Sequence, residues 1–317
     1  MFISNLLIVV KQVVILYLIV AVGFFADKAG KFTDKTAKLV NNLLFYIITA
    51  CVIINAFSTV DKKQVKISYL LISFACCLIY YAIGISFSRL LFKWTKRENR
   101  AIYRHAMVYA NCGFVALPLA EAILGAEGVF YCSVGVVVFN ILVFTHGVWQ
   151  MNEGSSSKVE LSVKHILVNP GTIGIAIGLP MFFLQEYFSI PQLVSEPIRL
   201  IGSMNTPLAM LCLGTYLSHT DLKTAFTDPN NYLVALFKLI VVPGLLLGCL
   251  YLGRGFIPKT LAVAAVISAC PASANNTAMF AAQYGKDVGH ASKCIMNTTV
   301  IGIVTIPAII ALAQIIF

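Results

Sequence analysis

Two apolar stretches of the chain, 109–118 and 269–278, contain both proline and asparagine, a combination that can bind an anion. The residues in them that are candidates for contacting a substrate are Asn111, Gly113, Pro118, Pro271, Asn275 and Asn276. Proline removes a backbone donor and clashes with the preceding helical turn, so we expect a broken helix in each stretch. Broken helix ends present free backbone amides, and asparagine adds uncharged donors beside them. The two stretches therefore predict a binding site for an anion.

A simpler interpretation is that each proline only kinks its helix and each asparagine bonds to a neighbouring helix. The occurrence of two such stretches at matched places in the two halves of the chain favours the substrate site. Asn205 and Pro207 are predicted to form part of the opposing wall.

Two charged residues in apolar surroundings are candidates for coupling or charge balance. Glu121 lies one turn beyond Pro118, and Lys238 lies deep in its own apolar stretch. A charge inside a membrane is a candidate for function, because its burial is costly. The alternatives are that Glu121 bonds to a nearby hydroxyl or basic group, and that Lys238 extends toward the membrane surface.

The remaining reactive residue types show no pattern of catalysis or metal binding. The five histidines lack metal-ligand spacing, and the nine cysteines fall mostly in apolar runs without a CxxC pair. Neither a phosphate-binding loop nor a nucleophile elbow is present in the sequence. We expect no catalytic residue, no metal and no cofactor, and no ATP-driven step on this chain.

The composition predicts a multi-pass membrane protein of the all-α class. Hydrophobic residues make up 59% of the 317 residues and charged residues 11%, and the mean hydropathy is +0.87. Helices are expected because a backbone in lipid must satisfy its own hydrogen bonds. The ten predicted spans are 3–25, 36–57, 67–92, 100–123, 127–149, 164–186, 198–218, 230–252, 259–283 and 289–317.

The ten spans divide into two halves, 1–149 and 164–317, joined by a polar linker at 150–163. A shift of 160 residues superposes the first five spans on the last five without a gap, and places Gly125 on Gly285. Because each half has an odd number of spans, the second half is predicted to be inverted in the membrane. Inverted repeats with broken helices in corresponding positions are typical of secondary transporters.

The distribution of Lys and Arg predicts the orientation. The connections after the odd-numbered spans carry most of the basic residues, which places them in the cytoplasm. Both termini are then outside and the linker 150–163 is cytoplasmic. The net charge of +10 is explained by these loops, so we expect no nucleic-acid partner.

The order of the short motifs resembles that of one transporter family. The motifs are Asn111…Pro118…Gly125, the break at Pro271, Asn169-Pro170, and Pro207-Leu208-Ala209…Gly214. In these residues the chain resembles the auxin efflux carrier family, which includes plant auxin carriers and bacterial permeases for malate and malonate. The resemblance covers essentially the whole chain, and its short linker is similar to that of bacterial members.

The resemblance implies a ten-helix fold of two inverted five-helix repeats, similar to that of bile-acid and sodium/proton carriers. It also implies a scaffold domain, an elevator-like transport domain, and a carboxylate bound where the fourth and ninth helices cross. A homodimer is implied by the resemblance alone. The segment 46–51 departs from the family, because many relatives have a proline there.

We therefore expect a secondary transporter in the plasma (cytoplasmic) membrane that moves a small mono- or dicarboxylate, or an auxin-like acid, by alternating access. The alternative is a cation or proton antiporter of similar fold. It is disfavoured because all six aspartates fall in loops, whereas a cation site needs carboxylates at the crossing. An intramembrane enzyme and a transporter-like sensor are further alternatives.

Overall fold

The computed structural model describes residues 2–61, 63, 65–66, 68–153, 170–184, 190–219 and 225–317. Most of the predicted linker, from residue 154 onward, lies outside the described residues, as do Asn169 and both ends of the predicted sixth span. The described part is helical, with one isolated backbone bridge and no named strand. The predicted all-α class is thus confirmed for these residues.

The helices follow the apolar stretches of the sequence. They are α1 (Phe2–Lys28), α2 (Asp34–Leu43), α3 (Thr49–Thr59), α4 (Ser68–Leu91), α5 (Arg97–Val108), α6 (Leu117–Leu142), α7 (Val148–Met151), α8 (Pro170–Leu184), α9 (Gln192–Ser203), α10 (Asn205–Ser218), α11 (Pro229–Leu236), α12 (Val242–Leu252), α13 (Lys259–Ala269), α14 (Asn276–Gln283) and α15 (Val288–Ile316). Several are joined end to end by π-helical turns at Leu44–Ile48, Cys112–Ala116, Val143–Gly147 and Phe237–Val241.

Seven continuous helical stretches of the described chain are long and apolar enough to cross a bilayer. They are Val9–Lys28, Asp34–Thr59, Ser68–Trp94, Cys112–Met151, Gln192–Ser218, Pro229–Leu252 and Val288–Ile316. Two shorter apolar helices, Gly171–Leu184 and Lys259–Ala269, fall in the predicted sixth and ninth spans. These helices establish a multi-pass membrane protein.

Two glycines mark local changes of direction at matched positions. Gly125 interrupts α6 with φ 64° and ψ −153°, and Gly285, between α14 and α15, has φ 63°. Residues with a side chain rarely adopt this left-handed backbone. The two glycines are 160 residues apart, which is the shift that superposes the predicted halves.

The helices form two groups according to their contacts. The first helix group contains α1, α2, α3, α8, α9 and α10, with extensive contacts of α1 with α10 and of α3 with α8. The second helix group contains α4, α5, α6 and α11 to α15, with extensive contacts of α6 with α4 and α13. The groups meet where α1 contacts α15 and where α3 contacts α6, for example at the Phe57 and Phe130 rings, 4.5 Å apart.

Polar contacts join the helix ends that the sequence analysis assigns to one side of the membrane. Lys28 Nζ donates to the Ser218 carbonyl at 2.9 Å. Arg104 Nη1 donates to Glu153 at 3.1 Å, and Lys286 Nζ donates to the Glu153 carbonyl at 2.8 Å. Helix ends far apart in sequence therefore share one end of the molecule.

Candidate functional site

The backbone is broken at 109–111 and at 270–275, and the two breaks pair with each other. The Asn111 N–H donates to the Ala272 carbonyl, and the Ala274 N–H donates to the Tyr109 carbonyl, both at 2.9 Å. These bonds form a short antiparallel bridge centred on Ala110 and Ser273. Each break thus satisfies polar groups that the other frees, as burial in a membrane requires. We call this paired segment the crossing.

Side chains of neighbouring helices hold the crossing in place. Ser273 Oγ donates to the Ala106 carbonyl at 2.7 Å, and the Ser273 N–H donates to Thr298 Oγ1 at 3.1 Å. His105 Nδ1 lies 2.9 Å from Thr277 Oγ1. All of these polar side chains are buried. The bonds join α5, the break and α15, so the crossing forms part of the second helix group.

Two helices begin at the crossing and two end there. Helical structure begins at Cys112 and at Asn276, and α5 and α13 end at Val108 and Ala269. A helix start carries partial positive charge, and a helix end carries partial negative charge. The crossing therefore has two positive ends that favour an anion, and two negative ends that need a counter-charge.

Asn111 caps one of the positive ends. Its Oδ1 accepts from the Phe114 N–H at 3.4 Å, a long version of the usual cap bond. Its Nδ2 has no acceptor among the described residues. Asn111 therefore presents a donor that a bound acceptor can use.

The amino group of Lys238 lies at one of the negative ends. The side chain is completely buried. Nζ bonds to Tyr80 Oη and lies 3.4 Å from the Val108 carbonyl, the last carbonyl of α5. Tyr80 Oη in turn donates to the same carbonyl at 3.2 Å. The Lys238 amino group and the Tyr80 hydroxyl therefore both serve as hydrogen-bond donors to the end of α5.

A cavity lies between the two helix groups, against the Asn111 side of the crossing. We call it the first cavity, and its volume is about 20 Å³. Its lining residues are Val13, Leu16, Tyr17, Asn111, Val115, Leu119, Met210, Leu213, Ala272, Thr299 and Ile306. They come from α1, α6 and the π-helical turn before it, α10, α15 and both breaks, and none is charged.

A second, smaller cavity lies against the other side of the crossing. It is lined by Cys76, Cys77, Tyr80, Tyr81, Cys112, Gly135, Ala265, Ser268 and Ala269. Its cysteines are unpaired, and the described residues contain no group of three or more His, Cys, Asp or Glu side chains placed to hold a metal ion. Asn111 and Cys112, adjacent in sequence, thus contribute to different cavities.

Of the residues predicted to contact substrate, the structure places Asn111 in the lining of the first cavity. Pro118 and Pro271 are buried in α6 and in the second break, and Gly113, Asn275 and Asn276 are partly exposed near the starts of their helices. These five residues form or flank the crossing, but they are outside the cavity lining.

The residues predicted for the opposing wall and for charge balance lie elsewhere. Asn205 is buried at the start of α10, and neither of its amide atoms has a partner in the described chain. Pro207 and Glu121 are exposed, and Lys238 faces the end of α5. The contribution of α10 to the cavity comes from Met210 and Leu213.

Sequence reasoning missed several lining residues. Tyr17 Oη donates to the Thr299 carbonyl at 3.2 Å across the cavity wall. A tyrosine in the middle of the apolar run of α1 was a usable signal for this contact. Aliphatic residues such as Met210 carry no such signal, because they are chemically like their lipid-facing neighbours.

Comparison with known proteins defines the class of protein to which this chain belongs. A family model described as membrane transport protein matches residues 8–310. The chain belongs to this family, the auxin efflux carrier family, and the resemblance seen in the sequence is confirmed.

The relatives are distant but cover most of the chain. An uncharacterized transporter of Methanocaldococcus jannaschii is 25% identical over 73% of this chain and 75% of its own length. An uncharacterized transporter of Methanothermobacter thermautotrophicus is 22% identical over 94% of this chain and 96% of its own. A "Putative malonate transporter" of Rhizobium meliloti is 21% identical over 93% of both chains.

Proposed function

We propose that this membrane transporter is a secondary carrier that moves a small organic anion by alternating access, with the carboxylate of the substrate bound at Asn111. The observation that carries the proposal is the Asn111 amide. Its Nδ2 lacks an acceptor, and the side chain lines a cavity at the start of a helix. A carboxylate there gains a donor and the positive end of that helix.

The charges around the crossing support an anion rather than a cation. The described lining of the first cavity has no carboxylate to coordinate Na⁺ or bind a proton. Lys238, a buried basic residue, is bonded at the negative end of α5, and the positive helix starts are left for the substrate. A cation or proton antiporter would need the opposite arrangement.

The position of the cavity supports transport by movement of one helix group against the other. The first cavity lies between the groups, and its lining is mostly aliphatic. In this proposal the first helix group is the scaffold and the second helix group carries the crossing across the membrane. The paired breaks and the matched glycines, Gly125 and Gly285, support ten spans in two inverted halves, 1–149 and 164–317.

The relatives and the helix ends support the remaining parts of the proposal. A relative named as a putative malonate transporter is consistent with a carboxylate substrate. The ends joined through Glu153 are basic, which favours a cytoplasmic location for that side and an external location for both termini. The plasma membrane as location and a homodimer as assembly remain part of this proposal.

The test is uptake of radiolabelled acids into proteoliposomes by the wild type and by Asn111→Ala. We expect the variant to lose at least about tenfold in uptake, corresponding to about 1.4 kcal/mol of binding. Asn55→Ala, on α3 in the first helix group and outside the cavity lining, is the matched control and should retain uptake. Normal uptake by Asn111→Ala would refute the site, and acid-independent Na⁺ or H⁺ flux would favour the antiporter.

A further inference from the structure

We propose that the first cavity selects short aliphatic monocarboxylates over dicarboxylates. This inference rests on the proposed function, because it assumes that a carboxylate binds at Asn111. It concerns the rest of the substrate, which must lie against the other walls of the same cavity. The side chains of those walls determine which chemical group the substrate can carry besides its carboxylate.

The walls beyond Asn111 are mostly aliphatic. Val115 and Leu119 continue the helix that Asn111 caps, and Met210 and Leu213 face them from α10. A second carboxylate placed among these side chains would lose its hydration without gaining a cation or a donor. An aliphatic tail in the same position would instead be removed from water at no polar cost.

The other polar groups of the wall are already engaged. Tyr17 Oη donates to the Thr299 carbonyl at 3.2 Å, and Thr299 Oγ1 donates to the Ile295 carbonyl at 2.7 Å. Asn111 Nδ2 is therefore the one side-chain donor of the described lining that has no partner. One free donor group matches one carboxylate.

Lys238, a buried basic residue, does not serve a second carboxylate. Lys238 is bonded to Tyr80, which lines the second cavity. Lys238 is not among the residues that line the first cavity. To reach that cavity, Lys238 would have to give up its bonds to Tyr80 and to the end of α5.

The size of the first cavity favours a short tail. The volume of the first cavity is about 20 Å³. Because this is smaller than any organic acid, the helix groups must move apart before a substrate can bind. A chain of four or five carbons needs less separation than a fused aromatic ring. We therefore place aliphatic acids above aromatic acids in preference.

The test compares acids with the same carboxylate and different bodies. Butanoate, 3-methylbutanoate, malonate, succinate and indole-3-acetate would be measured by thermal stabilisation in detergent and by uptake into proteoliposomes. We expect 3-methylbutanoate to bind at least about tenfold more tightly than malonate. Tighter binding of malonate, succinate or indole-3-acetate would overturn the inference but leave the proposed function standing. Failure of every acid to bind or enter would refute the proposed function itself.

A charge introduced into the wall gives an independent readout. In Met210→Lys the new cation should lower the preference for 3-methylbutanoate over malonate by at least about tenfold. Met204→Lys adds the same charge at an exposed position of the same helical stretch and should leave the preference unchanged. If Met210→Lys does not fold, Met210→Ala should raise the binding of hexanoate relative to butanoate. An unchanged ratio in the variant that folds would contradict the inference.

Discussion

Helix α1 makes two contacts of opposite character. Against α10 it lies backbone to backbone: a Cβ built on Gly23 would be 2.3 Å from the Leu211 carbonyl oxygen, and one built on Gly214 would be 2.0 Å from that of Val20. Against α15 it packs through side chains around the first cavity, including the hydrogen bond from Tyr17 to the Thr299 carbonyl. The α1–α10 contact is fixed by close backbone packing, whereas the α1–α15 contact allows the helices to shift.

The difference indicates where the molecule is rigid. Helix association in lipid depends on close packing rather than on a hydrophobic driving force, so small residues that let backbones touch give strong, specific contacts. Gly174 and Gly178 of α8 likewise face Ile53 and Phe57 of α3. The first helix group is therefore joined by glycine contacts, which suits a scaffold. The contact between the groups at the first cavity has no such backbone contact.

The largest effect on stability is expected from adding a methyl group at a glycine where two helices touch. In Gly214→Ala the new methyl group would lie 2.0 Å from Val20 O and 2.6 Å from Phe24 N, so the α1 and α10 backbones must separate. We expect a loss of about 3 kcal/mol in stability. The measurement is the midpoint of thermal aggregation of the detergent-purified protein.

The matched control for that substitution is Gly248→Ala on α12. A Cβ at Gly248 has no neighbour within 4 Å, and alanine is the better helix former by about 1 kcal/mol. This variant should be as stable as the wild type or slightly more stable. Equal effects at the two positions would show that the close α1–α10 contact does not stabilise the fold.

A smaller effect is expected from removing the buried amino group of Lys238 at the crossing. Lys238→Ala should cost about 2 kcal/mol of stability, because Tyr80 and the Val108 carbonyl lose a hydrogen-bond partner in a fully buried place. Uptake should fall for every acid alike, since the crossing is disturbed rather than the cavity wall. Lys11→Ala, at an exposed position of α1, is the control with the same change of charge. A selective loss for one acid would instead make Lys238 a substrate contact.

The sequence alone predicted the parts of the site that carry a backbone signal. Asn111 and Pro271 lie in the two breaks that the apolar stretches predicted, whereas Pro118 lies inside α6, after the first break. Gly125 and Gly285 are separated by the same 160 residues that relate the predicted halves. These residues are informative because few other residue types perform their roles in a membrane helix. The all-helical class followed from composition for a similar reason.

The cavity wall was not predicted, because its position depends on helix packing. Met210 and Leu213 are indistinguishable in the sequence from residues that face lipid. Asn205 and Pro207, one to two turns earlier on the same helix, have polar or helix-breaking character and so attracted attention, yet they lie outside the lining. Rotation about a helix axis decides which residues face a cavity, and an apolar helix has little amphipathic pattern to reveal that rotation.

The smallest expected effect tests the contact between the groups directly. Tyr17→Phe removes one hydrogen bond, worth about 1 kcal/mol, between α1 and the Thr299 carbonyl of α15. Tyr216→Phe removes a tyrosine hydroxyl that bonds to Asn41 within the first helix group. Both variants should lose similar stability, but only Tyr17→Phe should change the rate of uptake, by a few fold, because only its bond is broken when the groups separate. Equal uptake rates in the two variants would mean that the helix groups do not move apart at the first cavity during transport.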